Sequence, residues 1–215
     1  MSDPFHEHDD DPVPDPAAGD ALLLARLDVR LREVLLALQG AVTDGYVCSE
    51  LPAVAAALQS VIDKDQARGP VFCEWGSGLG GVCAVAASMS LQAHGIEIHA
   101  VLVDAARDLL TELGLEAEFA HGSFLLPGDE GLVVGCAHTA AEVSTDAYRE
   151  LGVSPEAVDI VFAYPWPGEE EMHDRVFHRH ATEGALLLTY HENSRVLVQR
   201  HLGADRELQA VEWVG

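Results

Sequence analysis

The sequence predicts an α/β fold with a doubly wound, mostly parallel sheet that is preceded by a helical extension. From Pro70 onward, short apolar runs alternate with amphipathic stretches, which is the pattern of strands that alternate with helices. A glycine-rich segment lies between a predicted strand and a predicted helix, where such folds place ligand-binding loops. Hydrophobic residues make up 48% of the 215 residues, which is ample for a core.

The first 68 residues are predicted to form a tail and two helices. Residues 1–19 are acidic, rich in proline and without periodicity, so we expect a disordered tail. Asp20 is a suitable N-cap for a helix that ends near Leu38, and a second helix is expected over 51–64. The predicted boundaries are therefore a tail at 1–19, a helical extension at 20–68 that packs on the main body, and the main domain at 69–215.

The elements of the main domain follow from two periodicities. Short apolar runs bounded by glycine or proline predict strands, and segments with apolar residues three or four positions apart predict helices. Segment 126–158 fits least well, apart from one helix. The predicted order is strand 71–75, helix 81–90, strand 95–98, helix 101–113, strand 117–120, helix 140–151, strand 159–164, helix 169–180, strand 185–190, and a closing antiparallel pair at 195–199 and 208–214.

Charge limits the range of partners. Thirty-six acidic and twelve basic residues give a formal net charge of −24. Nucleic-acid-binding proteins present basic surfaces, so we expect no nucleic-acid partner. The acidic surface suits a cationic or neutral substrate, or it serves solubility alone. The chain shows neither a secretory signal nor an apolar stretch of about 20 residues, so a soluble, cytoplasmic protein without a membrane partner is expected.

The glycine loop Glu74-Trp75-Gly76-Ser77-Gly78-Leu79-Gly80-Gly81 is the most informative motif. Its glycines permit a tight turn and let a ligand approach the backbone near a helix N-terminus. The loop also satisfies G-x-G-x-x-G, the dinucleotide fingerprint, but it lacks the lysine of a phosphate-binding P-loop. Glu74 suits a ligand that bears an ammonium group, and Glu97, at the end of the next strand, can accept both hydroxyls of a ribose.

In this order the motifs resemble those of the class I S-adenosylmethionine-dependent methyltransferases, which have a Rossmann-like sheet of seven strands with the last antiparallel. Segment 74–80 resembles the family's first motif, 95–98 its second, and 121–124 follows the third strand, where the family places residues near the adenine. The resemblance covers about 70–215, with the helix between the fifth and sixth strands reduced to a loop at 192–194. It implies S-adenosylmethionine as cofactor, with Glu74, Gly76, Ser77, Gly78, Leu79, Gly80, Glu97, Ser123 and Phe124 as binding residues.

The fourth strand departs from part of that family. Adenine and glutamine N-methyltransferases have N/D-P-P-Y/F after this strand, whereas this chain has Tyr164-Pro165-Trp166-Pro167 and lacks the amide or carboxylate that would hold an amino group. The aromatic rings suit stacking or cation–π contact, or they pack as a rigid turn. His191, after the fifth strand, is either a general base or a structural histidine. The predicted catalytic residues are Tyr164, Trp166 and His191.

The sequence therefore favours methyl transfer to a small-molecule or protein acceptor. An NAD(P)-dependent oxidoreductase and a non-catalytic protein that retains the cofactor-binding fold are the alternatives. No metal is expected. The histidines at 173, 178 and 180 do not share one helix face, and the four cysteines lack C-x-x-C spacing.

Overall fold

A computed structural model describes residues 16–38, 47–139 and 142–215. The helices are α1 Pro16–Ala37, α2 Leu51–Asp63, α3 Gly81–Ser88, α4 Ala100–Leu113, α5 Asp146–Leu151 and α6 Glu170–His180. The strands are β1 Val71–Trp75, β2 Gln92–Glu97, β3 Ala117–His121, β4 Ile160–Ala163, β5 Leu186–His191, β6 Arg195–Arg200 and β7 Gln209–Val214.

The seven strands form one sheet in the order β3-β2-β1-β4-β5-β6-β7. Strands β1 to β5 are parallel, β6 is antiparallel to β5, and β7 is antiparallel to β6. The predicted doubly wound, mostly parallel fold is therefore confirmed, as is the closing antiparallel pair. The expectation that the last strand runs against the others is wrong: the reversed strand is β6, because a short hairpin joins it to β5, and β7 returns to the direction of β1.

Helices cover both faces of the sheet, as a parallel sheet requires. One apolar cluster joins α1, α2, α3 and α4 to Phe72 and Phe162 on one face, and a second joins α5 and α6 to Cys73 and Val161 on the other. Adjacent residues of β1 and β4 thus point to opposite faces. Leu27 and Leu31 of α1 are buried in the first cluster, so the N-terminal helices pack on the main body as predicted.

Some predicted boundaries are wrong at the N-terminus. Helix α1 begins at Pro16, and Asp20 lies inside the helix instead of capping it. Proline is well tolerated in the first helical turn, and the following Ala17 and Ala18 favour helix, so the helix extends into the segment predicted as tail. The rest of that segment, 1–15, lies outside the described residues.

The middle of the chain differs from the prediction in helix length. Helix α5 begins at Asp146, whereas the pattern predicts a start near residue 140, and residues 140–141 lie outside the described residues. The chain from 122 to 145 is loop wherever it is described. No helix in the described part of the chain is long and apolar enough to span a membrane.

Candidate active site

A cavity of about 720 Å³ opens along the edge of the sheet where the parallel strands end. Its volume is in the range of small-molecule sites, and it spans the point where strand order reverses between β1 and β4. Leu31 of α1 and Leu51 of α2 also line it, so the N-terminal extension forms part of the wall. The predicted residues that line the cavity are Glu74, Gly76, Ser77, Gly78, Glu97, Ser123, Phe124, Tyr164, Trp166 and His191.

The glycine loop has the backbone that its sequence predicts. Gly76, Gly78 and Gly80 have φ angles of 72°, 52° and 74°, a region that favours glycine. The N–H groups of Gly76 and Ser77 both donate to the carbonyl of Ile96, at 2.9 and 3.0 Å, and fix the loop to β2. The loop backbone is thereby held against the cavity before any ligand binds.

Leu79 and Gly80, two of the predicted cofactor contacts, do not line the cavity. Leu79 is fully buried in the core beneath the loop. A Cβ on Gly80 would lie 2.6 Å from the ring of Phe119, so this glycine allows close packing between the loop and β3. We therefore assign both residues a packing role in place of the predicted contact with the ligand.

Glu74 is a buried carboxyl group at the end of β1. Its Oε2 accepts a hydrogen bond of 3.1 Å from the backbone N–H of Cys83, which ties β1 to the first turn of α3. Burial raises the pKa of Glu74 to about 8, and the hydrogen bonds from Cys83 offset only part of that increase. A cation beside Glu74 would lower this pKa, because it favours the ionised form.

Glu97 closes the glycine loop from the end of β2. Its Oε2 accepts from the backbone N–H of Gly78 at 2.9 Å, and its Oε1 accepts from the backbone N–H of His99 at 2.9 Å. The Nδ1 of His99 also lies 3.0 Å from Oε1, whereas Oε2 has only the Gly78 N–H among the described residues. A carboxylate oxygen can accept two hydrogen bonds, so Oε2 retains capacity for a ligand hydroxyl in the cavity. The sequence predicts only the ligand contact, and the structure adds the link to Gly78.

Ser77 places its hydroxyl beneath the glycine loop, against β2. Its Oγ is buried, and it makes no hydrogen bond within the described residues. Buried hydroxyls without a partner are uncommon because they lose hydration without compensation. A Cβ on Gly95 of β2 would lie 2.7 Å from this oxygen, so the hydroxyl packs against β2 and is not accessible from the cavity.

The segment after β3 contributes an aromatic cluster. The ring of Phe124 stacks on Trp75 with centroids 4.8 Å apart and lies 5.5 Å from the ring of His173. Ser123 Oγ accepts a hydrogen bond from the N–H of Leu125 at 3.1 Å, which fixes the turn. Ser123 and Phe124 thus reach the cavity on the same side as Glu97, as predicted.

The segment after β4 forms an aromatic wall on the other side. Tyr164 packs edge-to-face against Tyr190 at 4.8 Å, and Trp166 stacks on His138 at 4.4 Å. Burial raises the pKa of Tyr164 above its usual value, so this phenol stays protonated near neutral pH. The wall is apolar on its faces and presents hydroxyl and ring N–H groups only at its edges.

His191 lies beyond this wall at the end of β5. Its Nε2 is 2.8 Å from the Oγ1 of Thr189, and its ring meets the edge of Trp213 at 5.1 Å. Burial lowers the pKa of His191 below its usual value, so the imidazole is neutral at pH 7. A neutral imidazole is the form that accepts a proton in general base catalysis.

Sequence reasoning missed a loop that completes the aromatic wall. The buried carboxylate of Glu169 accepts hydrogen bonds from the N–H groups of Ala137 and His138, both at 2.8 Å, and from Thr139 Oγ1 at 2.6 Å. These bonds hold His138 against Trp166. Glu169 stands 30 or more positions along the chain from this loop, so no local pattern indicates the contact.

The three histidines of α6 have different partners. His173 Nδ1 lies 3.0 Å from the carbonyl of Glu169, His178 Nε2 lies 3.2 Å from that of Ala204, and His180 contacts Asp129. No group of three or more His, Cys, Asp or Glu side chains is placed to hold a metal ion within ranges 16–38, 47–139 and 142–215.

Comparison with known proteins finds similarity of fold only. No protein-family model matches the chain. No curated protein matches it either. Among solved structures, an RNA methyltransferase from Salinibacter ruber in complex with S-adenosyl-L-homocysteine aligns with 19% identity over 66% of this chain and 76% of its own, with a TM-score of 0.46.

Two further solved structures are similar to the chain to about the same extent. A 16S rRNA methyltransferase of T. thermophilus with AdoMet and guanosine aligns with 17% identity over 68% of this chain and 35% of its own, with a TM-score of 0.46. A SAM-dependent methyltransferase from Thiobacillus denitrificans with S-adenosyl-L-homocysteine gives 18% identity, 64% and 47% coverage, and a TM-score of 0.41. The chain spans less than half of these two proteins.

Proposed function

We propose that this protein is an S-adenosylmethionine-dependent methyltransferase. The observation that carries the proposal is the pairing of two buried carboxyl groups, Glu74 and Glu97, around a glycine loop at the point where strand order reverses. Glu74 suits the ammonium group of the methionine moiety, and Glu97 suits the ribose hydroxyls.

The residues that line the cavity have different proposed roles according to their position. When bound, the cofactor supplies a methyl group activated by a sulfonium. Glu74, Gly78 and Glu97 hold the cofactor, and the segment 122–124 borders its base. Tyr164 and Trp166 form a wall that aligns the acceptor and excludes water, which is most of what such a transfer requires of a protein. His191 accepts the proton that the acceptor loses.

The acceptor in this proposal is a small molecule or a protein side chain. Two of the similar structures are RNA methyltransferases, but their similarity to this chain is one of fold. The net charge of −24 disfavours a polyanion. The cavity also lacks the row of basic side chains that a nucleic-acid backbone requires, because Arg195 is the one lysine or arginine among the described residues that line it.

A thermal-shift titration tests the cofactor. S-adenosylhomocysteine should raise the melting temperature as its concentration rises, following RT ln(1 + [L]/Kd), and NADH should not. Calorimetry with S-adenosylhomocysteine should give one site per chain. A shift with NADH and none with S-adenosylhomocysteine would favour the dinucleotide interpretation of the glycine loop, and a shift with neither would favour a non-catalytic role.

A further inference from the structure

The strand order divides the cavity into two halves. The predicted cofactor contacts come from the ends of β3, β2 and β1, which are neighbours at one side of the sheet. The ends of β4 and β5, the start of β6 and the end of β7 lie on the other side, which we call the acceptor half. Adjacent strands are about 4.8 Å apart, so the acceptor half extends about 10 Å from Tyr164 after β4 to Arg195 on β6.

Arg195 is the distinctive residue of the acceptor half. Among the described lining residues it is the one lysine or arginine, and it occurs with four glutamates at positions 74, 97, 170 and 192. Its guanidinium carbon lies 4.3 Å from the ring centroid of Trp213. Stacking on Trp213 uses the flat face of the guanidinium and leaves the in-plane N–H donors available.

Arg195 is among the four lysine and arginine side chains that form no ion pair with a described carboxylate. Eight of the twelve lysine and arginine side chains form an ion pair with a carboxylate. Arg195 forms none with any described carboxylate, although the chain carries thirty-six acidic residues and Glu192 is three positions away. Its contact with an aromatic ring at the cavity holds a cation there without neutralising it.

We propose that the methyl acceptor is a small aromatic acid whose carboxylate binds Arg195. The proposal rests on the proposed function and specifies its substrate class. The guanidinium fork matches a carboxylate in geometry and charge. The aromatic part of the acceptor lies along Trp166 and Tyr164. The atom to be methylated then faces the other half of the cavity, where the ends of β1, β2 and β3 supply the predicted cofactor contacts. His191, on the strand between Tyr164 and Arg195, is then placed beside the acceptor.

The acidic surface is compatible with a single carboxylate at this site. Charges farther away than about 8 Å are largely screened at physiological ionic strength, so the charge nearest the carboxylate dominates. The carboxylate of the cofactor's methionine is the competing occupant of Arg195. It is disfavoured by distance, because β6 is three strand spacings, about 14 Å, from the end of β1 where Glu74 lies.

Three matched probes test the proposal on the full chain saturated with S-adenosylhomocysteine. 4-Hydroxyphenylacetate, 4-hydroxyphenylacetamide and tyramine share a ring and differ in carrying an anionic, a neutral and a cationic group. Calorimetry should show the acid binding about tenfold or more tightly than the amide, as expected for a charge-assisted hydrogen bond, with tyramine weakest. Arg195→Gln should reduce the affinity for the acid to that for the amide and leave the affinity for the amide unchanged.

Arg206→Gln is the matched control, because it removes the same charge from an exposed arginine outside the cavity. It should leave the preference for the acid intact. Tighter binding of tyramine or the amide, binding of none of the probes, or retention of the preference in Arg195→Gln would overturn the proposal. A loss of S-adenosylhomocysteine affinity in Arg195→Gln would assign Arg195 to the cofactor instead. If the wild-type chain fails to bind S-adenosylhomocysteine, the proposed function itself fails.

Discussion

Glu74 shows how a single residue couples stability to binding. It is 6% exposed, and the hydrogen bonds that it accepts from Cys83 do not replace the hydration that burial removes. The carboxyl is therefore mainly protonated in the free protein at neutral pH, with a pKa of about 8. A cationic ligand restores the ionised form, so a group that is unfavourable in the free protein becomes favourable in the complex.

Glu74→Gln tests this coupling through the pH dependence of stability. The pKa of about 8 in the folded protein lies above the usual carboxyl pKa of 4.5, so the stabilisation from the protonated form is complete below pH 4.5 and is lost as the pH rises through 8. The variant cannot ionise and should escape that loss. Urea unfolding at pH 6 and pH 9 should show a smaller decrease for Glu74→Gln than for wild type, and equal decreases would contradict the assigned burial.

The same variant should bind S-adenosylhomocysteine more weakly, because a neutral amide attracts an ammonium less than a carboxylate does. Gain of stability at pH 9 and loss of affinity together would identify Glu74 as a functional group. Loss of stability at both pH values would indicate that its contact with Cys83 is the dominant role.

Glu97 fixes the backbone N–H groups of Gly78 and His99 and is also a proposed cofactor contact. Two substitutions distinguish these roles. Glu97→Ala removes the acceptor of the Gly78 and His99 N–H groups, so it should lower the free energy of unfolding by about 1–3 kcal/mol as well as weaken S-adenosylhomocysteine binding. Glu97→Gln keeps one oxygen acceptor and should weaken binding by about 1.5–3 kcal/mol with a smaller loss of stability. Unchanged affinity in both variants, measured by calorimetry, would remove Glu97 from the site.

At the scale of elements, local pattern predicts strands well where they are bounded by residues that break secondary structure. Strand β1 is predicted at its observed bounds, because Pro70 precedes an apolar run and the glycine loop follows it. Strand β2 begins at Gln92, three residues earlier than predicted. Its first residues are polar or small and are ordered by pairing with Val71 and Phe72 of β1, which no local pattern encodes.

The candidate site is predictable where it follows a motif and not where it depends on distant contacts. The glycine loop and Glu97 are local features of strand ends, so the sequence places them correctly. The loop at 137–139 is held by Glu169, and the preceding turn by the fully buried Asp129, which contacts His180. Such contacts join segments far apart in sequence, so the wall around Trp166 becomes visible only in the fold.

Glu169→Ala is expected to release that loop and impair the acceptor half alone. Three hydrogen bonds are lost, so the amides of residues 137–139 should exchange with deuterium faster than in wild type. S-adenosylhomocysteine affinity should stay within about twofold, because the cofactor contacts come from other strands. Glu171→Ala, which removes an exposed partner of Arg175, is the control and should change neither quantity. Unchanged exchange in Glu169→Ala would show that other contacts hold the loop.

Trp166→Ala distinguishes an acceptor wall from a packing element. Trp166 is only partly buried, and one side of its ring is covered by His138, so we expect a loss of stability below the roughly 3–5 kcal/mol typical of a buried large aromatic. Turnover with an accepted substrate should decrease while S-adenosylhomocysteine affinity is retained. A large decrease in melting temperature with unchanged specific activity of the folded protein would assign Trp166 to the core.

At the scale of the whole molecule, the charge of the protein disfavours a polyanionic partner. Its twelve basic residues are mostly neutralised by ion pairs, so they form no extended basic face in the described part of the chain. The part of the chain that the structure describes therefore offers no surface of the kind that binds a nucleic-acid backbone.

Fluorescence anisotropy with labelled single-stranded and duplex RNA tests whether the protein binds a nucleic acid. At physiological salt we expect no saturable binding, because the net charge of −24 repels the phosphate backbone. The measurement should be repeated with S-adenosylhomocysteine present, so that an acceptor that requires the cofactor is not overlooked. Sub-micromolar binding that weakens steeply with salt would contradict the prediction.

The hairpin between β5 and β6 has a consequence for how substrate specificity can change. Asn193 and Ser194 adopt left-handed φ angles of 60° and 58°, which reverse the chain within three residues. His191, Arg195 and Trp213 consequently belong to one uninterrupted stretch of 23 residues, His191 to Trp213, whereas the glycine loop lies more than a hundred positions earlier. On the proposed function, replacing residues 191–213 as one segment should change which acceptor is methylated and leave cofactor binding at the glycine loop unchanged.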